Sequence, residues 1–204
     1  MKKRIKKYIS RFLNLLLPHV YKTSGTAAPI TLSNLFYQKL LRINGSAYWP
    51  MHYTSKVSGV ANIKIGIGTA PGLSPGCYIQ GGGKILIGDY TIVAPNVGII
   101  SANHDLTDYR EHKKGTVNIG RYCWIGMNAV VLPDVVLGDY TIVAAGALVT
   151  KSFECGYCVI GGNPARVIKN LNIEDCVYYE NKYKYYGFVP AKKFESYRKK
   201  KLSV

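Results

Sequence analysis

The sequence predicts an all-β solenoid, and three observations predict it. From Ile119 to Glu154 the chain reads in sixes: IGRYCW, IGMNAV, VLPDVV, LGDYTI, VAAGAL, VTKSFE. The octet IGDYTIVA at 87–94 returns as LGDYTIVA at 137–144, so the repeat is an internal duplication. A sustained period of six fits neither a helix (about 3.6) nor an alternating strand (about 2). It fits a parallel β-helix in which each block forms one short strand of a stacked coil.

Within the blocks, an aliphatic residue opens each one: Ile119, Ile125, Val131, Leu137, Val143 and Val149. A small residue often follows, as at Gly120, Gly126, Gly138 and Ala144. The fifth place is small or β-branched at Ala129, Val135, Thr141 and Ala147. Ile87, Val93 and Ile99 open earlier blocks in the same phase, and Ile67, Leu73 and Ile79 open looser ones. The phase breaks twice. Gly81, Gly82 and Gly83 fall in the first break, and the polar run NHDLTDYREHKKGT falls in the second. Chemistry is expected at the second.

The remaining elements follow in order. Residues 2–17 have the pattern of a basic amphipathic helix ended by Pro18. Packing on the domain or a neighbouring subunit is the first reading, and peripheral contact with an anionic membrane the second. A signal peptide comes last, because Asn14 breaks the apolar core. A short helix is expected from Asn34 to Ile43, capped by Ser33 and stopped by Gly45, with Leu35, Phe36, Leu40 and Ile43 buried. The aromatics of 46–60 should cap the first coil, which otherwise exposes apolar surface and strand edges. After Pro164, Ala165–Leu171 can turn helical, and 172–204 reads as a helical or partly disordered tail packed on the coil. The division is thus 1–57 (helical extension and cap), 58–170 (repeat domain) and 171–204 (basic Tyr/Lys-rich tail).

Composition bounds the function. Net charge is +16, but much of the excess sits in KKRIKK and RKKK near the two ends, which argues against a nucleic-acid face spread over the folded body. No run of about eighteen apolar residues occurs, so nothing in the sequence reads as a membrane span. The five cysteines read as a reducing compartment, hence a cytoplasmic protein. Cys77 and Cys123 fall at inward fifth places, and the lone pair Cys155/Cys158 reads as a turn, not a metal site.

The hexapeptides, the Trp124 of CWIG, the run VAAGALVTKS and the exit GNPARVIK together resemble the hexapeptide-repeat acyltransferases over about residues 58–170. The stretches NIKIGIGTAPGLSPGCYIQGG and APNVGIISANHD are similar to bacterial polysaccharide O-acetyltransferases. The chain lacks the Asp-Arg-His-Pro of serine acetyltransferases, and the N-terminal signature and Gly-His-Pro of maltose and galactoside enzymes. The resemblance implies a left-handed β-helix with short helical additions, a homotrimer, and acetyl-CoA as co-substrate with no permanently bound cofactor or metal. It implies acetyl transfer to a sugar hydroxyl of a capsule or O-antigen polysaccharide or its precursor. The alternatives are an N-acetyltransferase on a nucleotide amino sugar, an antibiotic acetyltransferase, or a scaffold whose basic ends bind anionic membrane or nucleic acid.

His104 ends IISANH at the root of the second break. An imidazole there can take a hydroxyl proton near neutral pH, and the resemblance makes it the base. Asn103 and Asp105 flank it, as orienting or acceptor-binding groups or as plain turn residues. Gln80, by the glycine break, is expected to face the same groove. Trp124 resembles the family's tryptophan beside the pantetheine arm and acceptor. Met127 stands where relatives carry Ser or Ala, and the amide of Gly126 or Met127 is the candidate oxyanion donor. Ala145 and Gly146 keep the wall low for the arm. Thr150, Lys151 and Arg166, with Lys169 assisting, resemble the positions that meet the CoA phosphates. His112 reads as a solvated loop residue.

Overall fold

The computed structural model describes residues 17–204. The amphipathic segment read at 2–17 therefore lies, apart from Leu17, outside the described residues. From Lys56 the chain visits three sheets, here A, B and C, in rotation. The first turn is β1 (Lys56–Ser58) on A and β2 (Ile63–Lys64) on B. The second is β3 (Tyr78–Gln80), β4 (Lys84–Ile87) and β5 (Ile92–Val93), on A, B and C. The third starts with β6 (Gly98–Ile100) on A. It leaves the coil as the antiparallel hairpin β7 (Ala102–His104) and β8 (His112–Lys114). It then resumes with β9 (Thr116–Ile119) on B and β10 (Trp124–Ile125) on C. β11 (Val130–Val131), β12 (Val136–Leu137) and β13 (Thr141–Val143) complete the fourth turn. The fifth is β14 (Leu148–Val149) on A, Phe153 bridged to Leu137 on B, and β15 (Cys158–Gly161) on C. All pairings within the coil are parallel, as the six-residue period requires.

The block pattern becomes geometry directly. The opener and the fifth place both point inward: Ile119, Ile125, Val131, Leu137, Val143 and Val149 are buried, and so are Cys123, Ala129, Val135, Thr141 and Ala147. Only the residue between them, such as Trp124, faces out, which is strand alternation confined to three residues. Burial pushes the Cys123 thiol up to about 12, so it behaves as a small core residue. The small second place is a stacking requirement. A Cβ on Gly120 would lie 2.6 Å from the Asp139 amide nitrogen in the next turn.

The fourth place carries a signal that hydropathy does not show. Tyr90, Asn96, Tyr122, Asn128, Asp134 and Tyr140 all have positive φ, between 55° and 62°, and each turns a corner. Asn and Asp tolerate this region; tyrosine does so at a cost of roughly 1–2 kcal/mol. The cost is offset by a ladder along the B/C corner. Tyr90, Tyr122 and Tyr140 stack at 5.2 Å between ring centroids, and Tyr157 follows at 5.7 Å. Each stacked pair contributes on the order of 0.5–1.5 kcal/mol.

Two segments outside the coil fold differently from expectation. Residues after Pro164 form β16 (Arg166–Asn170), which pairs antiparallel with β15 and is not helical. This strand satisfies the last edge of sheet C, a need that outweighs local propensity. Before the coil come α1 (Pro18–Thr23) and α2 (Leu32–Asn34), the latter running into a π-helical segment, Leu35–Leu40. The cap of α2 is Thr31, not Ser33. Its inward face is polar. The Gln38 amide, 1% exposed, donates to Trp49 O at 3.0 Å and accepts from Met51 N at 2.8 Å. Asn34 donates to Met51 O at 3.1 Å. Phe36, Leu40 and Ile43, expected inside, are exposed, and Leu35 is only half-buried. The helix is held by amides that satisfy the backbone of 49–51, while Tyr48, Trp49 and Met51 do the apolar capping.

The tail is a strap. Its backbone at Val177 and Tyr179 accepts from the Tyr140 and Tyr122 hydroxyls, and Asn181 N donates to the Tyr90 hydroxyl. The Tyr157 and Tyr178 hydroxyls are bonded to each other. The chain then forms the short hairpin β17 (Tyr185–Tyr186) and β18 (Val189–Pro190), and α3 (Ala191–Lys201). Phe194 stacks on Tyr186 at 3.7 Å, and Ser203 N donates to Ala61 O at the first turn. Among the described residues no helix is long and apolar enough to cross a membrane.

Replacing Gly120 by Val should destabilise the coil by about 1–3 kcal/mol through the close approach to Asp139. Thermal unfolding of Gly120→Val against Ala145→Val, whose site is exposed, measures this: the first should lower Tm and the second should leave it unchanged.

Candidate functional site

The second phase break is the hairpin that carries His104. Its root is tied to the coil by two side chains, Ser101 and Gln80. Ser101 is fully buried; its hydroxyl donates to Gln80 O at 2.7 Å and accepts from Gly83 N at 3.0 Å. The Gln80 side chain donates to Ala102 O at 3.2 Å and accepts from Ala102 N at 3.0 Å. Gln80 is thus committed to holding the hairpin root, a more specific role than facing a groove. The hairpin closes where Asp105 N donates to Glu111 O at 2.9 Å.

His104 Nδ1 lies 2.5 Å from Tyr109 O. A carbonyl oxygen can only accept, so Nδ1 carries the proton and the neutral ring presents Nε2 as a free lone pair. His112 is its cross-strand partner, with ring centroids 4.3 Å apart. His112 is exposed, as its loop position predicts, and its ring packs against that of His104. The signal for this was available: the antiparallel register of a hairpin between two phase-locked blocks.

Asp105 is occupied as a turn residue. Its Oδ1 accepts from Thr107 N, Thr107 Oγ1 and Asp108 N at 2.7, 2.6 and 3.2 Å, and Oδ2 pairs with Lys113 at 2.6 Å. The Lys113 bond, followed by those from Thr107 and Asp108, holds its carboxyl well below the usual carboxylate range. Asp105 positions the hairpin, and its oxygens are spent. Asn103 and Lys113 occupy the opposite hairpin face from His104 and His112.

Residues 116–151 match the family described as bacterial transferase hexapeptide (six repeats). The chain is 36% identical over 104 residues to the galactoside O-acetyltransferase of Escherichia coli (strain K12), covering 49% of this chain and 51% of that protein. It spans about half the length of the curated relatives it matches. Among solved structures it is similar to a maltose O-acetyltransferase from Clostridium difficile 630 (TM-score 0.58, 25% identity, 81% of this chain and 84% of that one). It is also similar to a galactoside acetyltransferase in complex with coenzyme A (TM-score 0.57, 25% identity, 86% and 88%).

Placed on the hexapeptide coil, the other expected site residues fall into separate groups. Thr150 and Lys151 follow β14 at the A/B corner, the corner that also bears the hairpin. Met127, Ala145 and Gly146 are exposed at the C/A corner, beside buried Gly126. Trp124, 54% exposed, faces out from mid-strand on sheet C, and Arg166 and Lys169 lie exposed on β16 of the same sheet. Sheet A stands between the hairpin corner and the C/A corner, a strand width of about 10 Å. One chain does not bring His104 together with Trp124 or Met127. Gly126 is also corrected as an oxyanion donor, since its amide is spent on Val143 O at 2.8 Å. A hollow of about 500 Å³, lined by Leu86, Asn118, Arg121 and Asp139 among others, runs down sheet B and includes no hairpin residue.

The depressed carboxyl of Asp105 fixes a pH dependence. A lowered folded-state value means its contribution is present above the unfolded value, about 3.9, and is lost only as pH falls through the folded value. The amides of Thr107 and Asp108 should thus keep their hydrogen-exchange protection as pH drops past 4 (roughly the ordinary carboxylate midpoint) and lose it below. Asp105→Ala should remove that protection at neutral pH.

Proposed function

We propose that the chain is an acetyl-CoA-dependent O-acetyltransferase acting on a sugar hydroxyl of a capsule or O-antigen polysaccharide or its precursor, with His104 as general base. The observation that carries the reading is the tautomer. The Tyr109 carbonyl fixes the proton on Nδ1 and leaves Nε2 to take another. The likeness to proteins named galactoside and maltose O-acetyltransferases supports the reaction class, and the structure titled as a coenzyme A complex supports the donor.

In this reading Nε2 takes the acceptor hydroxyl proton as the oxygen attacks the thioester carbonyl carbon. The tetrahedral oxyanion is met by the Met127 amide, the candidate left once Gly126 is spent. The carbon–sulfur bond then breaks, the imidazolium returns its proton to the departing sulfur, and an acetyl ester and free CoA thiol result. Trp124, Ala145 and Gly146 line the pantetheine arm, and Thr150, Lys151, Arg166 and Lys169 meet the CoA phosphates. His104 lies on a different face of one coil from Trp124, Met127 and Arg166, while Thr150 and Lys151 share the hairpin's corner, which supports a site completed across the seam of a homotrimer of left-handed β-helices. The transferase domain is 58–170, flanked by the extension 1–57 and the tail 171–204; residues 1–17 supply any contact with the cytoplasmic membrane face.

His104→Ala should lower turnover by roughly 10²–10⁴ with the fold intact, read as thiol release from acetyl-CoA in the presence of saccharide acceptors beside an unchanged circular dichroism spectrum. Near-normal turnover in His104→Ala would remove this residue from the mechanism.

A further inference from the structure

The hairpin has a second neighbour. Between its root and the glycine break lies a hollow of about 390 Å³, lined by Asn62, Gly82, Lys84, Lys114, Thr116 and Asp134 among others. It borders the side of the hairpin that carries the base. Ala102 pairs with Lys114 and His104 with His112, so strand alternation puts these four side chains on one face. The Ala102 methyl meets Gly82, since a Cβ built on that glycine would lie 2.9 Å away. The glycine break therefore does more than shift the phase. Gly82 and Gly83 keep the floor of this hollow low, and a Cβ on Gly83 would strike Gly115 O at 2.1 Å.

The charges in the hollow are arranged in two zones. Lys84 lies beside Thr116 across the sheet, and Lys114 lies two residues before it on β8. Both lysines are exposed, and among the described residues neither forms an ion pair. Asp134 accepts from Thr116 N at 3.0 Å through Oδ1, leaving its second oxygen for a hydroxyl donor. One wall thus attracts an anion, and the other accepts hydroxyl hydrogen bonds and repels an anion. Most of the residues expected to hold the donor lie elsewhere, at the C/A corner and on sheet C; Thr150 and Lys151 share this A/B corner one turn beyond Asp134 but do not line the hollow, which is therefore read as the acceptor's.

We propose that this hollow is an acceptor subsite for a sugar bearing a negatively charged group, phosphate or carboxylate, with Lys84 and Lys114 on the anion and Asp134 on a ring hydroxyl. The inference rests on the acetyl-transfer reading and deepens it by giving the acceptor a charge. Two cationic contacts at an open surface favour the charged ligand over its neutral counterpart and make that preference weaken with salt.

The test is a ligand-observed NMR titration of the full chain with glucose 1-phosphate, glucuronate and glucose, for wild type and Lys84→Gln/Lys114→Gln. Both substituted positions are exposed, and an unchanged Tm shows that the variant folds. At least one charged sugar should bind wild type tenfold or more tighter than glucose at low salt, and the double variant should lose that preference. Which sugar is preferred distinguishes phosphate from carboxylate. Equal binding of all three, no binding of the charged two, or a preference that survives in the double variant would overturn the proposal. Acetyl-CoA is titrated into the same samples. Absence of acetyl-CoA binding would remove the transferase reading while leaving a measured charge preference standing, so the two failures are told apart.

Discussion

Close stacking of successive turns is the constraint on which the rest of the molecule depends. Parallel strands one hydrogen bond apart leave little room at the second place of the blocks that turn the B/C and C/A corners, where Gly88, Gly120, Gly126 and Gly138 answer that limit, whereas the A/B corner admits Leu132 and Thr150 there. The corner must also turn within a residue or two, which the left-handed conformation at the fourth place achieves. With those two places fixed, the opener and the fifth place point inward and fill the core. Register then follows. Within the uninterrupted part, partners such as Ile119 and Leu137, or Val130 and Leu148, sit 18 residues apart.

The breaks show how the coil tolerates an insertion. After the hairpin, β9 rejoins sheet B with Ile85 opposite Val117 and Ile87 opposite Ile119, as though nothing had intervened. The loop adds residues without shifting any inward position, because it leaves and re-enters at one corner. That is why a solvated hairpin can carry the histidine while its root is held rigidly by buried Ser101 and by Gln80.

The coil was legible in the sequence because each inward position repeats, and repetition is what periodicity detects. The place of His104 was legible as a failure of that period. The rest was written in features that hydropathy does not carry. The fourth-place tyrosines have the hydropathy of ordinary outward residues, and their ladder is a property of stacking. Leu40 and Phe36 suggested a buried helical face, but Gln38 and Asn34 went inside because the 49–51 backbone needed partners more than the core needed leucine. β16 was read as helix because an edge strand's demand comes from its neighbour, not from its own residues. Asp105 takes the turn role, one of the two its sequence position allows, and the Gly126 amide is already used by the Val143 carbonyl one turn on.

The tail changes how such a coil comes apart. In a solenoid each turn touches only its neighbours, so the ends can fray one turn at a time while the middle persists. Here the segment 177–181 is bonded to the tyrosines of four turns, and the chain beyond it anchors at Tyr48 and Ala61 beside the first turn. A segment that follows the coil thus fastens its first turn. A stack that would otherwise unzip becomes a closed loop of contacts, and losing either end means losing the strap and the ladder together.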